Sequence, residues 1–147
     1  MKLIICAFAA ILLCGASKPY RGINLYDSTG NAIAFVDDYL TDQVIYLWNG
    51  KPVAYLYHNF TGTDVYGFNG KHLGWFEDGK LRDNTGYLLA ETKEALGGRI
   101  TYGESLKGLE GTPPGQKFRE LQPVKPYFSD LWSSDEPGNY LLNGRDD

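Results

Sequence analysis

The stretch VYGFNGKHLGWF, Val65–Phe76, sets an Asn-Gly pair between two runs of aromatic and aliphatic residues. Such a pair marks a β-hairpin, because a tight turn needs a residue that accepts left-handed backbone and glycine does so without a Cβ penalty. IYLWNGKPVAYL, Ile45–Leu56, is nearly the same text twenty residues earlier. Two further segments join when the glycines are aligned, LYDSTGNAIAF (Leu25–Phe35) and LRDNTGYLLAE (Leu81–Glu91). The chain therefore writes one unit four times, hinged at Gly30, Gly50, Gly70 and Gly86, with intervals of 20, 20 and 16 residues.

Five columns carry the repeat. Five residues before the glycine stand Leu25, Ile45, Val65 and Leu81, followed by Tyr26, Tyr46, Tyr66 and, as an exception, Arg82. Three after it stand Ile33, Val53, Leu73 and Leu89; then the small residues Ala34, Ala54, Gly74 and Ala90; then Phe35, Tyr55, Trp75 and, again breaking the column, Glu91. Asp27-Ser-Thr-Gly30 and Asp83-Asn-Thr-Gly86 suit a type I turn closed by a glycine bulge, while Asn49-Gly50 and Asn69-Gly70 also accept a two-residue type I′ turn. The choice matters because a one-residue slip turns every side chain to the other face. The bulge is preferred here. It is expected to set the aliphatic columns opposite one another with the Phe/Tyr/Trp column on their face, and the tyrosines on the other face with the small residues.

The expected fold is all-β: four hairpins in a pseudo-fourfold meander over residues 17–96. A lone hairpin is marginal in water, so each unit buries its apolar side only against its copies. Crowding near the axis would account for the small column. The repeat resembles a family, the bacterial four-fold beta flower domains, through its Tyr-x-x-x-Gly turns and the stretch NGKHLGWFEDG, Asn69–Gly79. The likeness runs from Leu25 to about Leu96 and is most specific over Val65–Asp83. It implies a pseudo-fourfold all-β domain and implies no activity.

Ahead of the repeats, Met1-Lys2 and the uncharged run Leu3–Cys14, followed by Gly15-Ala16, have the layout of a secretory signal peptide over residues 1–16. The expected location is secreted or periplasmic, with no transmembrane span once the signal is removed; a lipoprotein anchored through Cys14 is the alternative. Cleavage after Ala16 would remove Cys6 and Cys14, the only two cysteines, leaving no thiol for a disulfide, a zinc site or a nucleophile. A net charge of −4 without a basic cluster argues against nucleic acid as a partner.

Residues 97–147 read as a Pro/Gly-rich tail, partly docked or flexible. Within it KPYFSDLW, Lys125–Trp132, sets Phe128, Leu131 and Trp132 at helical spacing, either to dock on the repeats or to anchor another protein. Neither His58 nor His72 has metal-ligand spacing, and His72, next to a turn, is expected in solvent. No cofactor, metal site or catalytic residue is assigned. An envelope-glycan hydrolase would require Asp37, Asp38, Glu77 and Asp78 to converge in a cleft. The leading expectation is a non-catalytic structural or binding module for a protein or glycan of the envelope; a third is an inhibitor or toxin-associated partner with inserted hairpin tips. Trp48 and Phe68, two residues before their glycines, are the candidate ligand contacts, because a tip position is hard to explain by packing.

Overall fold

The structure is a computed structural model and describes residues 22–37 and 42–147. Residues 1–16 with Cys6 and Cys14, and also Asp38, lie outside the described residues. Eight strands follow one another: β1 Ile23–Tyr26, β2 Ala32–Asp37, β3 Val44–Leu47, β4 Pro52–Asn59, β5 Gly62–Gly67, β6 His72–Glu77, β7 Lys80–Arg82 and β8 Leu88–Glu91. Each pairs antiparallel with the next, and β8 returns to β1 to close a barrel. The closing seam is short, with Tyr26 opposite Glu91 as its one register pair.

The four turns are built alike. In each, the glycine N–H donates to the residue three before it, as Gly30 does to Asp27 O at 3.0 Å and Gly50 to Leu47 O at 2.8 Å. The four glycines have φ between +85° and +92°. This is the type I turn with a glycine bulge. A side chain caps the next N–H every time: Asp27 for Asn31, Asn49 for Lys51, Asn69 for Lys71 and Asp83 for Tyr87. The Asp-x-Thr-Gly and Asn-Gly spellings are thus two chemical solutions to one need.

The predicted face assignment is corrected by a second bulge. Leu25 lies opposite Ala34 and Tyr26 opposite Ala32, so Ile33 is the extra residue; Val53, Leu73 and Leu89 are extra in the same way. A bulge turns two consecutive residues toward one face, and Val53-Ala54 and Leu89-Ala90 both enter the same buried cluster. That cluster draws on all eight strands and fills the barrel with Leu25, Ile45, Val65, Leu81 and their neighbours. The small column therefore belongs with the aliphatics, inside. Gly74 shows why it is small: a Cβ there would collide with the carbonyl of Arg82.

The aromatic columns share the outer face. Phe35 stacks on Tyr46 with ring centroids 5.2 Å apart, and Tyr55 on Tyr66 at 6.4 Å. The two exceptions in the columns occupy the corresponding places, Arg82 opposite Trp75 and Glu91 opposite Tyr26. These outer rings are nevertheless buried, because the rest of the chain covers them.

After Leu96 the chain runs around the outside of the barrel as a belt. Tyr102, Gly111, Glu120 and Ser129 donate their N–H groups to the carbonyls of Gly30, Gly50, Gly70 and Gly86, at 2.8–3.1 Å. Two residues before each donor, the carbonyls of Ile100, Leu109, Phe118 and Tyr127 lie where a Cβ of the same glycine would stand. The belt thus repeats every nine residues, in phase with the hairpins. It is anchored by backbone N–H groups, which every residue but proline supplies, and this leaves the positions between anchors free to be rich in Gly and Pro. It ends in helix α1, Pro137–Leu142, capped by the Glu136 carboxylate. Leu141 of α1 joins the interior cluster, and Tyr140 donates its hydroxyl to Leu73 O at 2.8 Å, so α1 stops the barrel at the turn end.

Candidate functional site

Strand alternation separates the expected acids. Val36 and Phe76 are interior residues, so Asp37 and Glu77 point outward. They end β2 and β6, four strands apart in an eight-strand barrel, and so lie on opposite sides. Glu77 is ion-paired with Lys125 of the belt. Asp37, Glu77 and Asp78 do not form one cleft. Among the described residues, no group of three or more His, Cys, Asp or Glu side chains is placed to hold a metal.

His72 is buried, which corrects the expected solvent position. Its Nε2 lies 2.7 Å from Asp64 Oδ1 and its Nδ1 2.7 Å from Asn84 Oδ1. Asn84 donates its amide N–H to His72 O at 2.7 Å, and this fixes which end of the amide faces the ring. Both ring nitrogens therefore face oxygen acceptors. The ring is closed in by Tyr66 and Trp75, with centroids 5.0 and 4.7 Å away. The ring is thus held on both nitrogens and on its sides by neighbouring side chains.

The expected tip contacts are packed, a second correction. Phe68 is buried against Tyr55 at 5.7 Å, and Trp48 is half-buried edge-on to Phe35 at 6.0 Å. The bulged turns fold these residues onto the outer aromatic layer and do not aim them into solvent. Likewise Lys125–Trp132 is extended, with no helix until Pro137. Its Phe128 packs on Trp75 at 5.8 Å and under the Arg82 guanidinium at 4.8 Å. Trp132 bridges to Leu88 and lies 5.6 Å from the Arg99 guanidinium, whereas Leu131 is exposed.

Cations of the belt sit over the outer rings. Lys107 Nζ is 3.7 Å from the centre of Phe35, and the Arg119 guanidinium is 3.9 Å from that of Tyr57. A cation on a ring face is attracted by its quadrupole, more so when partly desolvated. Burial lowers the pKa of Lys107, opposed by the nearby charges of Glu110 and Asp37.

Between two of its anchors the belt stands away from the barrel. Gly111 and Lys117 bond the carbonyls of Gly50 and Phe68, at 2.8 Å each. The intervening Pro113-Pro114-Gly115 arches over a hollow of about 440 Å³ lined by Asp42, Val44, Phe68 and Gln116. A second hollow of about 300 Å³ adjoins it beyond Phe68, bounded by Lys117, Arg145, Asp146 and Asp147. Phe68 is the one candidate contact that borders both. The belt also holds a row that sequence reasoning missed: Ile100, Leu109, Phe118 and Tyr127 are 71, 95, 103 and 95 % exposed. Their signal was the nine-residue spacing of large apolar residues in a segment read as aperiodic.

An all-β barrel of four doubly bulged hairpins, hooped by its own C-terminal segment, is the class this geometry defines. The chain belongs to the 4-fold beta flower proteins, whose family model matches residues 23–141. The match runs past Leu96 and takes in the belt and most of α1. No curated protein and no solved structure matches the chain.

Proposed function

We propose that this protein is a secreted or periplasmic binding module without catalytic activity, which engages a protein or glycan of the cell envelope under the arch at Pro113–Gly115. The observation that carries this reading is the hollow between belt and barrel. It is concave and has an apolar floor of Phe68 and Val44 with polar groups at its rim, the general make-up of ligand sites. The separated acids and the locked His72 favour binding over hydrolysis. The apolar run Leu3–Cys14 supports export.

The test is capture from envelope extract by the tagged chain lacking residues 1–16, compared with its Gly115→Trp variant. Gly115 lines the hollow and has open space where a Cβ would stand, so tryptophan there adds a bulky ring at the hollow's edge without a clash in the fold. A partner held by the parent chain and lost by the variant supports the reading. Equal capture by both places binding elsewhere and overturns it.

A further inference from the structure

We propose that the hollow under the arch receives a lysine or arginine side chain of a peptide ligand; this rests on the binding-module reading above. The argument starts from the nine-residue period of the belt. Lys107, Gln116 and Lys125 are equivalent positions in successive belt repeats. The equivalence is structural as well, since Lys107 and Gln116 each stand just before an anchor: Gly108 bonds Trp48 O and Lys117 bonds Phe68 O, both at 2.8 Å.

Both lysines pair a ring with an acid. Lys107 lies over Phe35, itself edge-on to Trp48, in the field of Glu110 and Asp37. Lys125 lies 5.0 Å from the centre of Phe128 and is ion-paired with Glu77. At the middle position the surroundings are kept, but Gln116 stands in place of the lysine. Tyr55 and Phe68 replace Phe35 and Trp48, with centroids 5.7 Å apart. A carboxylate, Asp42, stands at the rim, where it accepts a long hydrogen bond from Gln116 Nε2 at 3.3 Å. Among the described residues Asp42 forms no ion pair, and the space that a lysine stem would fill is the hollow itself.

The neighbouring charges do not cancel this site. Lys117 and Arg145, in the adjoining hollow, are ion-paired with Asp146 and Asp147. Arg119 covers Tyr57 and Tyr66 and also acts on the Tyr55 hydroxyl, but the hollow is bordered by Phe68 and not by Tyr55. An ammonium or guanidinium on an alkyl stem matches what is left: the stem lies along Val44, Pro113 and Pro114, and the charged head meets Asp42 near the Phe68 ring. The chain's net charge of −4 favours the approach of a cation.

The experiment is an NMR titration of the chain lacking residues 1–16 with a short glycine peptide carrying one central lysine, beside the same peptide carrying uncharged norleucine. The expected result is a saturable shift of the Phe68, Gly115 and Gln116 amides with the lysine peptide alone. Gln116→Lys, which repeats the residue of the two sister positions, should keep the spectrum of the fold and abolish the response. Asp42→Asn should weaken it by about tenfold, the scale of a charge-assisted contact. Equal binding of the norleucine peptide, no saturable response to lysine, or an unchanged response in Gln116→Lys each overturns the proposal. If the envelope partner is still lost by Gly115→Trp in those cases, the binding-module reading stands and only the cationic ligand falls.

Discussion

The carbonyl of Phe118 lies against Gly70 where a Cβ would stand. Since Gly70 has φ +88° as well, two separate constraints act on one residue. Gly70→Ala should lose roughly 2–5 kcal/mol, from left-handed strain together with the displaced belt. Gly98 supplies the control, with φ +87° and open space around it. There alanine should cost only about 1 kcal/mol. Urea denaturation of both variants measures the difference, and equal losses would mean that the belt contact adds nothing.

Gly74→Leu should be among the most damaging single changes. The new side chain must enter a filled interior and meet the carbonyl of Arg82. Overpacking alone costs about 1–3 kcal/mol, and the backbone collision adds to it. A melting temperature equal to that of the parent chain would refute crowding at this column.

Leu141→Ala removes the interior residue that helix α1 contributes. A loss of about 2–5 kcal/mol is expected from the lost burial and the cavity left behind. Ending the chain after Gly115 is more severe, since it removes Arg119, Phe128 and Leu141 together and bares the rings of Tyr55, Tyr66 and Trp75. That form should bind a hydrophobic dye and melt without a cooperative transition. Cooperative melting of the shortened chain would show that the hairpins stand without the belt.

Asp83 gives an expectation for acid. Burial raises its pKa, but hydrogen bonds from Ser133, Thr85 and Tyr87 outweigh burial and hold it below the ordinary aspartate value. A carboxylate depressed in the folded state contributes stability that is complete above its unfolded value and is lost as pH falls through the folded one. Asp83→Asn should therefore be less stable at neutral pH and lose less on acidification, measured by denaturation from about pH 6 down to about pH 2. Parallel curves for the two proteins would exclude Asp83 as a contributor to the acid limb.

How far the fold was legible follows from which contacts leave a trace in residue type. Turn glycines and their Asp or Asn caps must be particular residues, so Gly30, Gly50, Gly70 and Gly86 announce four hairpins. The second bulge leaves no such mark, because an isoleucine in a bulge is spelled like one in a ladder; hence the sequence reading puts the Phe/Tyr/Trp column and the small column on the wrong faces, while its outer placement of the tyrosines agrees with the structure. The belt was missed for a related reason. Its anchors are backbone groups, and its spacing shows only in Ile100, Leu109, Phe118 and Tyr127, which the packing does not use. Phe68 was readable as a position of interest, though the hollow beside it arises from an arch formed by residues forty-five and more positions later.

The narrow join between β8 and β1 has a consequence for how the molecule comes apart. Strand pairing holds that join weakly, and side chains from the hoop reinforce it: Arg99 grips Glu91 on one side, and Glu104 receives the Tyr26 hydroxyl at 2.9 Å on the other. The cylinder is thus fastened like a barrel stave by its outermost ring, and opening it at its weakest line first requires the winding to slip. Resistance to unfolding should then be governed by a slow unwrapping event, so that the last third of the chain confers a long lifetime on top of its share of the equilibrium stability.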